Sequence, residues 1–322
     1  MKRHANIPIF VPHVGCPNDC VFCNQRTISG KEEFRIENVE KEIEEALTTL
    51  SSRVPQIAFF GGSFTGIERG LMISLLETAN KYINDGRVSS IRLSTRPDYI
   101  SDEILDILEK YNVKNIELGI QSMNDKVLTL IRRGHTAEAS RLAMKKIVER
   151  GFELTGQMMT GMYGSSAEDE VNTAREISEF ATSARIYPTV TFKKTALADL
   201  WEKGEYAPPS LEETIERGAA VYKIFDKKNV DVIRIGLQST EGLHSSEVLA
   251  GEYHDAIGEM ILSRVRLDEL REMAKTIEAK DGCAIFHVPS KIISQYIGQR
   301  KENVLTLEKE LGVKVKICGN KD

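Results

Sequence analysis

Ile7-Pro8-Ile9-Phe10-Val11-Pro12-His13-Val14-Gly15-Cys16-Pro17-Asn18-Asp19-Cys20-Val21-Phe22-Cys23 sets the terms for the rest of the chain. A short apolar run edged by prolines reads as a strand, and it delivers the chain to a loop holding three of the five cysteines. Thiolates are soft ligands for Fe-S centres or zinc, and both want four ligands, so three leave a coordination position open. Zinc is the rival reading, with His13 or His4 as the fourth ligand.

Working outward, Ile36, Val39, Ile43, Leu47 and Leu50 fall at helical spacing, and Gln56 to Phe60 reads as a buried strand ending in Gly61-Gly62. The alternation continues with helix 71–82, strand 88–94, helix 102–111, strand 115–120 and helical material over 125–150. Strand 152–159, helix 167–181, strand 185–192, helix 211–225 and strand 231–235 follow. Such alternation predicts parallel βαβ units, hence an α/β barrel or an open sheet, with a partial (β/α)6 TIM-like barrel as the expected form of this α/β fold. Sites in such folds lie at the C-terminal strand ends, where Gly61-Gly62-Ser63, Ser94-Thr95-Arg96-Pro97, Gln121-Ser122, Gln157 and Gln238-Ser239 fall.

After Gly242 the alternation stops, and 252–280 reads as one or two connecting helices. The last forty residues predict a small α+β unit: strand 284–288, helix 290–296, a break at 297–301, helix 302–311 and strand 313–317. The expected division is a barrel domain over 1–242, a helical linker over 243–282 and a terminal domain over 283–322. The chain's net charge of −5 argues against a generally basic nucleic-acid coat, yet residues 283–322 hold seven Lys or Arg against four Asp or Glu. No apolar run approaches a membrane span and no signal peptide is visible, so no membrane partner and a cytoplasmic location are expected. Cys283 and Cys318, far from the cluster, are expected as small buried residues.

The C-x3-C-x2-C spacing after a first strand resembles that of the radical S-adenosylmethionine superfamily. The resemblance implies a 4Fe-4S cluster on Cys16, Cys20 and Cys23, with S-adenosylmethionine on the open iron as the source of a 5′-deoxyadenosyl radical. It implies cofactor contacts from Phe10, Phe22, Gly61, Gly62, Ser63, Ser94, Gln121, Arg133 and Gln157. Glycine allows close backbone approach and arginine suits a carboxylate, in keeping with two of those roles. Ser94-Thr95-Arg96-Pro97-Asp98-Tyr99, Gly119-Ile120-Gln121-Ser122, Arg133-Gly134-His135-Thr136 and Leu200 to Tyr206 resemble the radical domain of the Elongator catalytic subunit, without its acetyltransferase domain. The same region is similar, less closely, to oxygen-independent coproporphyrinogen oxidase. Relatives carry glutamate where this chain has Ser94.

The tail resembles a KH domain, whose Gly-x-x-Gly loop meets nucleic-acid phosphates. Here the loop is Gly298-Gln299-Arg300-Lys301, with lysine in place of the second glycine. Together these resemblances imply an RNA-modifying radical enzyme acting on tRNA or rRNA, with a flavodoxin or ferredoxin as electron donor. The alternatives are a radical enzyme for a small molecule or protein, and a non-enzymatic RNA-binding protein with a structural metal.

Overall fold

The computed structural model describes residues 5–11, 19–23, 34–50, 54–237, 247–251 and 253–320. Cys16, His4, His13 and Gln238-Ser239 lie outside the described residues.

Among the described residues, seven strands form one parallel sheet, taken in chain order. β1 (Asn6–Val11) is its edge, with Ile7, Ile9 and Val11 buried and Pro8 tolerated because an edge strand need not donate on both sides. The chain then runs through α1 (Ile36–Thr49), β2 (Gln56–Gly61), α2 (Arg69–Asn84), β3 (Ser90–Thr95), α3 (Asp102–Lys110) and β4 (Val113–Gln121). α4 (Asp125–Leu130), α5 (Ala137–Glu149), β5 (Glu153–Thr160), α6 (Ala167–Ser178) and β6 (Ser183–Pro188) follow. β2 to β5 are covered on the outer face by helices, so their outward residues, such as Ile57, Leu93, Ile116 and Leu154, are fully buried.

The sheet curls into a half-barrel, and one contact demonstrates it. Four strand steps in a flat sheet span about 19 Å, yet the guanidinium of Arg185 on β6 lies 5.5 Å from the ring centroid of Phe60 on β2. The expected partial α/β barrel is therefore present, with seven parallel strands.

Three details differ from the sequence reading. The helical stretch after Asp125 is two helices, because Arg132 adopts φ 54° and Gly134 φ 85° between them. The strand expected to reach Phe192 ends at Pro188; β7 (Thr191–Phe192) is a separate two-residue strand, followed by α7 (Ala196–Glu202) and α8 (Leu211–Lys227). After β8 (Asp231–Ile235), the seventh strand of the large sheet, β9 (Val248–Ala250) pairs antiparallel with β7. So short and irregular a pair carries no periodicity that a sequence could display.

α9 (Ile257–Ala274) packs at both ends. Ile257, Ile261 and Val265 meet Ile215 and Ala219 of α8, whereas Leu267 and Leu270 join Phe286, Val288 and Leu307 in a separate core. That second core belongs to a β-α-α-β unit: β10 (Cys283–Pro289), α10 (Ile293–Ile297), α11 (Glu302–Leu311) and β11 (Lys314–Asn320), with β10 and β11 parallel. Cys283 and Cys318 are half-buried on this sheet rather than core residues, since the face opposite Phe286 has no covering layer among the described residues. Among the described residues no helix is long and apolar enough to cross a membrane.

Candidate functional site

The first strand hands the chain to the cysteine loop, and distant anchors hold that loop. Val21, 1% exposed, donates its backbone N–H to Ile131 O at 3.1 Å and accepts from Leu197 N at 2.8 Å. The α4 end and the start of α7 thus grip one residue between two cysteines. Cys23 N bonds Cys20 O at 2.9 Å, a tight turn that points both side chains to one cleft.

Opposite them, β2 ends at Gly61 with φ 119°, where a Cβ would stand 2.2 Å from Val11 O. Only glycine fits, and Gly62 N donates to Val11 O at 3.2 Å, which ties the end of β2 to the end of β1 at the cleft. Gly62 and Ser63 continue the wall, and Phe22 covers it from the cysteine side. Phe10 does not line the cleft; its ring is 43% exposed near Gly61.

The far wall comes from β3 to β5. Ser94, Thr95 and Arg96 end β3. Arg96 is 2% exposed and grips Asp98 through Nε at 2.9 Å and Nη2 at 2.8 Å. Burial alone would push the Asp98 carboxyl up; the Arg96 fork outweighs it and holds the group below the usual carboxylate range. Thr95 and Thr65 share a 2.6 Å hydroxyl contact, tying this wall to β2.

β4 ends irregularly. Its register with β5 shifts between Gly119 and Gln121, and Gln121 adopts φ 68°, an uncommon backbone for a residue with a side chain. The bulge turns Gln121 into the cleft, where its buried Oε1 has no hydrogen-bond partner among the described residues. Arg133, past the break between α4 and α5, donates from Nη2 to Gly119 O at 2.6 Å and from Nη1 to Cys20 Sγ at 3.6 Å. A Cβ on Gly119 would meet that Nη2 at 2.8 Å, so a side chain there would push the guanidinium from its present position. Beside it His135 is 7% exposed, and burial, reinforced by the Arg133 charge, pulls its pKa down to about 4.

Gln157 on β5 completes the cleft and donates from Nε2 to Glu117 Oε2 at 2.8 Å. The structure therefore brings together Cys20, Cys23, Phe22, Gly61, Gly62, Ser63, Ser94, Gln121, Arg133 and Gln157, and leaves Phe10 outside. Arg96 and Gly119 line the same cleft without having been singled out as contacts; the signals were an arginine before proline and a glycine two residues before Gln121.

A buried acceptor left without a partner among the described residues, a glycine backbone without room for a Cβ and two thiols at one cleft fit a metal cluster and a polar cofactor. Among the described residues no third metal-ligating side chain joins Cys20 and Cys23. The tail loop lies elsewhere: Gly298 has φ 76°, Arg300 φ 50° and Lys301 φ 64°, and Gln299 and Arg300 line a separate shallow cleft with Leu305.

The sequence pattern of the Radical SAM superfamily matches residues 10–177, and that of the Radical_SAM C-terminal domain matches 181–266. The chain belongs to the radical S-adenosylmethionine superfamily, whose cofactors, a 4Fe-4S cluster and S-adenosylmethionine, are those of this chain.

Among curated relatives, a tRNA uridine(34) acetyltransferase of Methanocaldococcus jannaschii is 32% identical over 154 residues, covering 46% of this chain and 28% of the relative. An uncharacterized protein of the same organism is 31% identical over 206 residues, covering 62% of this chain and 60% of the relative. The matches thus span less than two thirds of these relatives' own lengths. Among solved structures, the Methanocaldococcus infernus Elp3 with an N-terminal deletion shares the fold with a TM-score of 0.65 at 22% identity, over 83% of this chain and 63% of that one. The fold and the radical domain thus match those expected from the cysteine motif.

Proposed function

We propose that this chain is a radical enzyme that modifies RNA, with tRNA or rRNA as substrate. The observation that carries the radical chemistry is the meeting of Cys20 and Cys23 with Gly61, Gln121 and Arg133 at one cleft. Cys16, Cys20 and Cys23 would hold the 4Fe-4S cluster. Gly61, Gly62 and Ser63 would offer backbone and hydroxyl to the cofactor's polar groups, and Phe22 an apolar face. Gln121, Arg133, Ser94 and Gln157 would supply hydrogen bonds, and Arg133, which already reaches Cys20 Sγ, would couple cofactor to cluster. When bound, the cluster held by these residues would supply one electron, drawn from a flavodoxin or ferredoxin, for reductive cleavage of S-adenosylmethionine.

RNA as the substrate is supported by the tRNA-modifying relative and by the locally basic tail. We read three units: a barrel over 1–242, a linker over 243–282 and a KH-like nucleic-acid domain over 283–322, acting in the cytoplasm. In the last, Gly298, Gln299, Arg300 and Lys301 would lie along the RNA backbone. Gly298 is also needed for packing, since a Cβ there would stand 3.0 Å from Asn303 N. Asn303 is buried and donates from Nδ2 to Ser263 O and Oγ, both at 3.0 Å, which binds the loop to α9.

Two measurements test the reading. Anaerobic reconstitution with iron, sulfide, S-adenosylmethionine and dithionite is expected to yield 5′-deoxyadenosine; no product would leave an RNA-binding protein with a structural metal. Deleting the gene is expected to change the mass profile of tRNA or rRNA nucleosides, and an unchanged profile would redirect the radical to a small molecule or protein.

A further inference from the structure

Inside the half-barrel, just below the cofactor cleft, lies a cluster of buried charges. Glu117 on β4 is fully buried. It accepts from Arg92 Nη1 at 3.0 Å, from Arg185 Nη2 at 2.9 Å and from Gln157 Nε2 at 2.8 Å. Arg185 Nε also stands 2.8 Å from Glu117 Oε2, off the hydrogen-bond axis, so that contact is ionic rather than a hydrogen bond. Both arginine side chains are largely buried, at 6% and 13% exposure.

Two guanidiniums share one carboxylate, leaving an excess positive charge. Among the described residues Glu117 is the one carboxylate in hydrogen-bond or ion-pair contact with either arginine. Tyr187, beside Arg185, does not supply the missing charge, since burial pushes its hydroxyl up and keeps it neutral. Arg234 of β8 also acts on Tyr187 and adds a further cation nearby. An unmatched charge in an interior is unfavourable, so such an arrangement favours a bound counter-ion.

The direction of entry follows from the floor of the barrel. Gln56 Nε2 bonds Ser90 Oγ at 2.7 Å, Thr155 bonds Asn115 Oδ1 at 3.0 Å and meets Ser183 Oγ at 2.7 Å, and Arg92 Nε reaches Gln56 Oε1 at 3.4 Å. This layer closes the lumen beneath Arg92 and engages its Nε and Nη1 through Gln56 and Thr155. Arg185 stands on the other side, stacked over Phe60, and a guanidinium has five N–H donors, more than Glu117 engages. Its β5 neighbour in register is Gln157, which lines the cofactor cleft.

We propose that Arg185 anchors an oxyanion, carboxylate or phosphate, that the substrate carries into the half-barrel from the cofactor side. Glu117 orients both Arg185 and Gln157, so substrate anion and cofactor contact are set by one carboxylate. The inference rests on the radical-enzyme reading for which site the anion serves, and it does not require RNA. A nucleotide phosphate and the carboxylate of a small co-substrate would use the same donors.

The test is thermal unfolding of the full chain, reconstituted anaerobically and titrated with inorganic phosphate, acetate, uridine 5′-monophosphate and uncharged uridine at ionic strength held constant with chloride. A saturable rise in Tm with at least one anion and none with uridine is expected; the nucleotide acting most strongly would indicate a nucleotide phosphate, and acetate a carboxylate. Arg185→Gln is expected to weaken that anion about tenfold or more, the usual effect of losing a charged hydrogen bond, without lowering the Tm of the anion-free chain. Arg185→Lys should retain saturation at reduced affinity, and the surface variant Arg87→Gln should titrate as wild type. The proposal is overturned if no anion saturates, if Arg185→Gln titrates unchanged, or if that variant fails to fold while Arg185→Lys shows wild-type affinity. Because 5′-deoxyadenosine and RNA mass are read separately, saturable binding with no change in RNA would remove the RNA reading and keep this one.

Discussion

At the mouth of the half-barrel, Gly61 stands at φ 119° and Gln121 at φ 68°; in the tail, Gly298 stands at φ 76°, with Arg300 and Lys301 at 50° and 64°. Both places force side-chain-bearing residues into the left-handed region beside a glycine. At the barrel mouth the consequence points inward: Gln121 Oε1 is buried without a partner among the described residues, and a Cβ on Gly61 would strike Val11 O at 2.2 Å. In the tail, Arg300 and Lys301 are exposed, and the closest neighbour of a Cβ on Gly298 would be 3.0 Å away. Strain that leaves a buried polar atom unsatisfied marks a site built around a ligand, whereas strain in exposed cations marks a surface that works through charge.

The largest effect that would break this contrast belongs to the thiols. Cys20→Ala is expected to abolish 5′-deoxyadenosine formation and to lower iron content after reconstitution; full iron loading in that variant would remove Cys20 from the site. Next is Gly61→Ala, where clash and backbone strain should cost about 3 kcal/mol or more. Gly298→Ala should cost about 1–2 kcal/mol. Urea unfolding of the two variants measures the difference, and equal losses would show that the mouth is no more tightly built than the tail.

His135 offers a pH-dependent test on the barrel side. Its folded pKa of about 4 lies below the ordinary value of 6.5, so the unfolded chain takes up a proton that the folded chain refuses. This contribution is fully present above pH 6.5 and is lost as pH falls toward 4, by about 3 kcal/mol at most. His135→Asn should flatten that part of the stability profile between pH 7 and pH 4, and a slope identical to wild type would show that other groups govern it.

The smallest effect belongs to the tail. Arg300→Ala combined with Lys301→Ala is expected to weaken RNA binding severalfold and to reduce the salt slope by about 2, with 5′-deoxyadenosine formation unchanged. Binding that keeps its salt dependence would move the RNA contact away from this loop.

Much of the fold was legible because its signals are local. Strand and helix periods, the cysteine spacing, Gly61-Gly62 at a strand end and the basic tail all sit within a few residues of one another. The reading failed where a short segment had no period, as at β7, α7 and β9. The cluster of Arg92, Glu117 and Arg185 was invisible for another reason. Each looks like an isolated charge in an apolar strand, and Glu117 and Arg185 are 68 residues apart.

By itself, then, the sequence determined the kind of chemistry: which ligands, in what loop, after which strand. The tertiary structure decided the geometry of that chemistry. Arg133 reaches Cys20 across 113 residues, Val21 is held between Ile131 and Leu197, and two arginines converge on one carboxylate because the sheet curls. Local patterns reflect short-range sterics and burial, whereas unmatched charge and orphaned acceptors exist only once distant strands have been brought to a common interior.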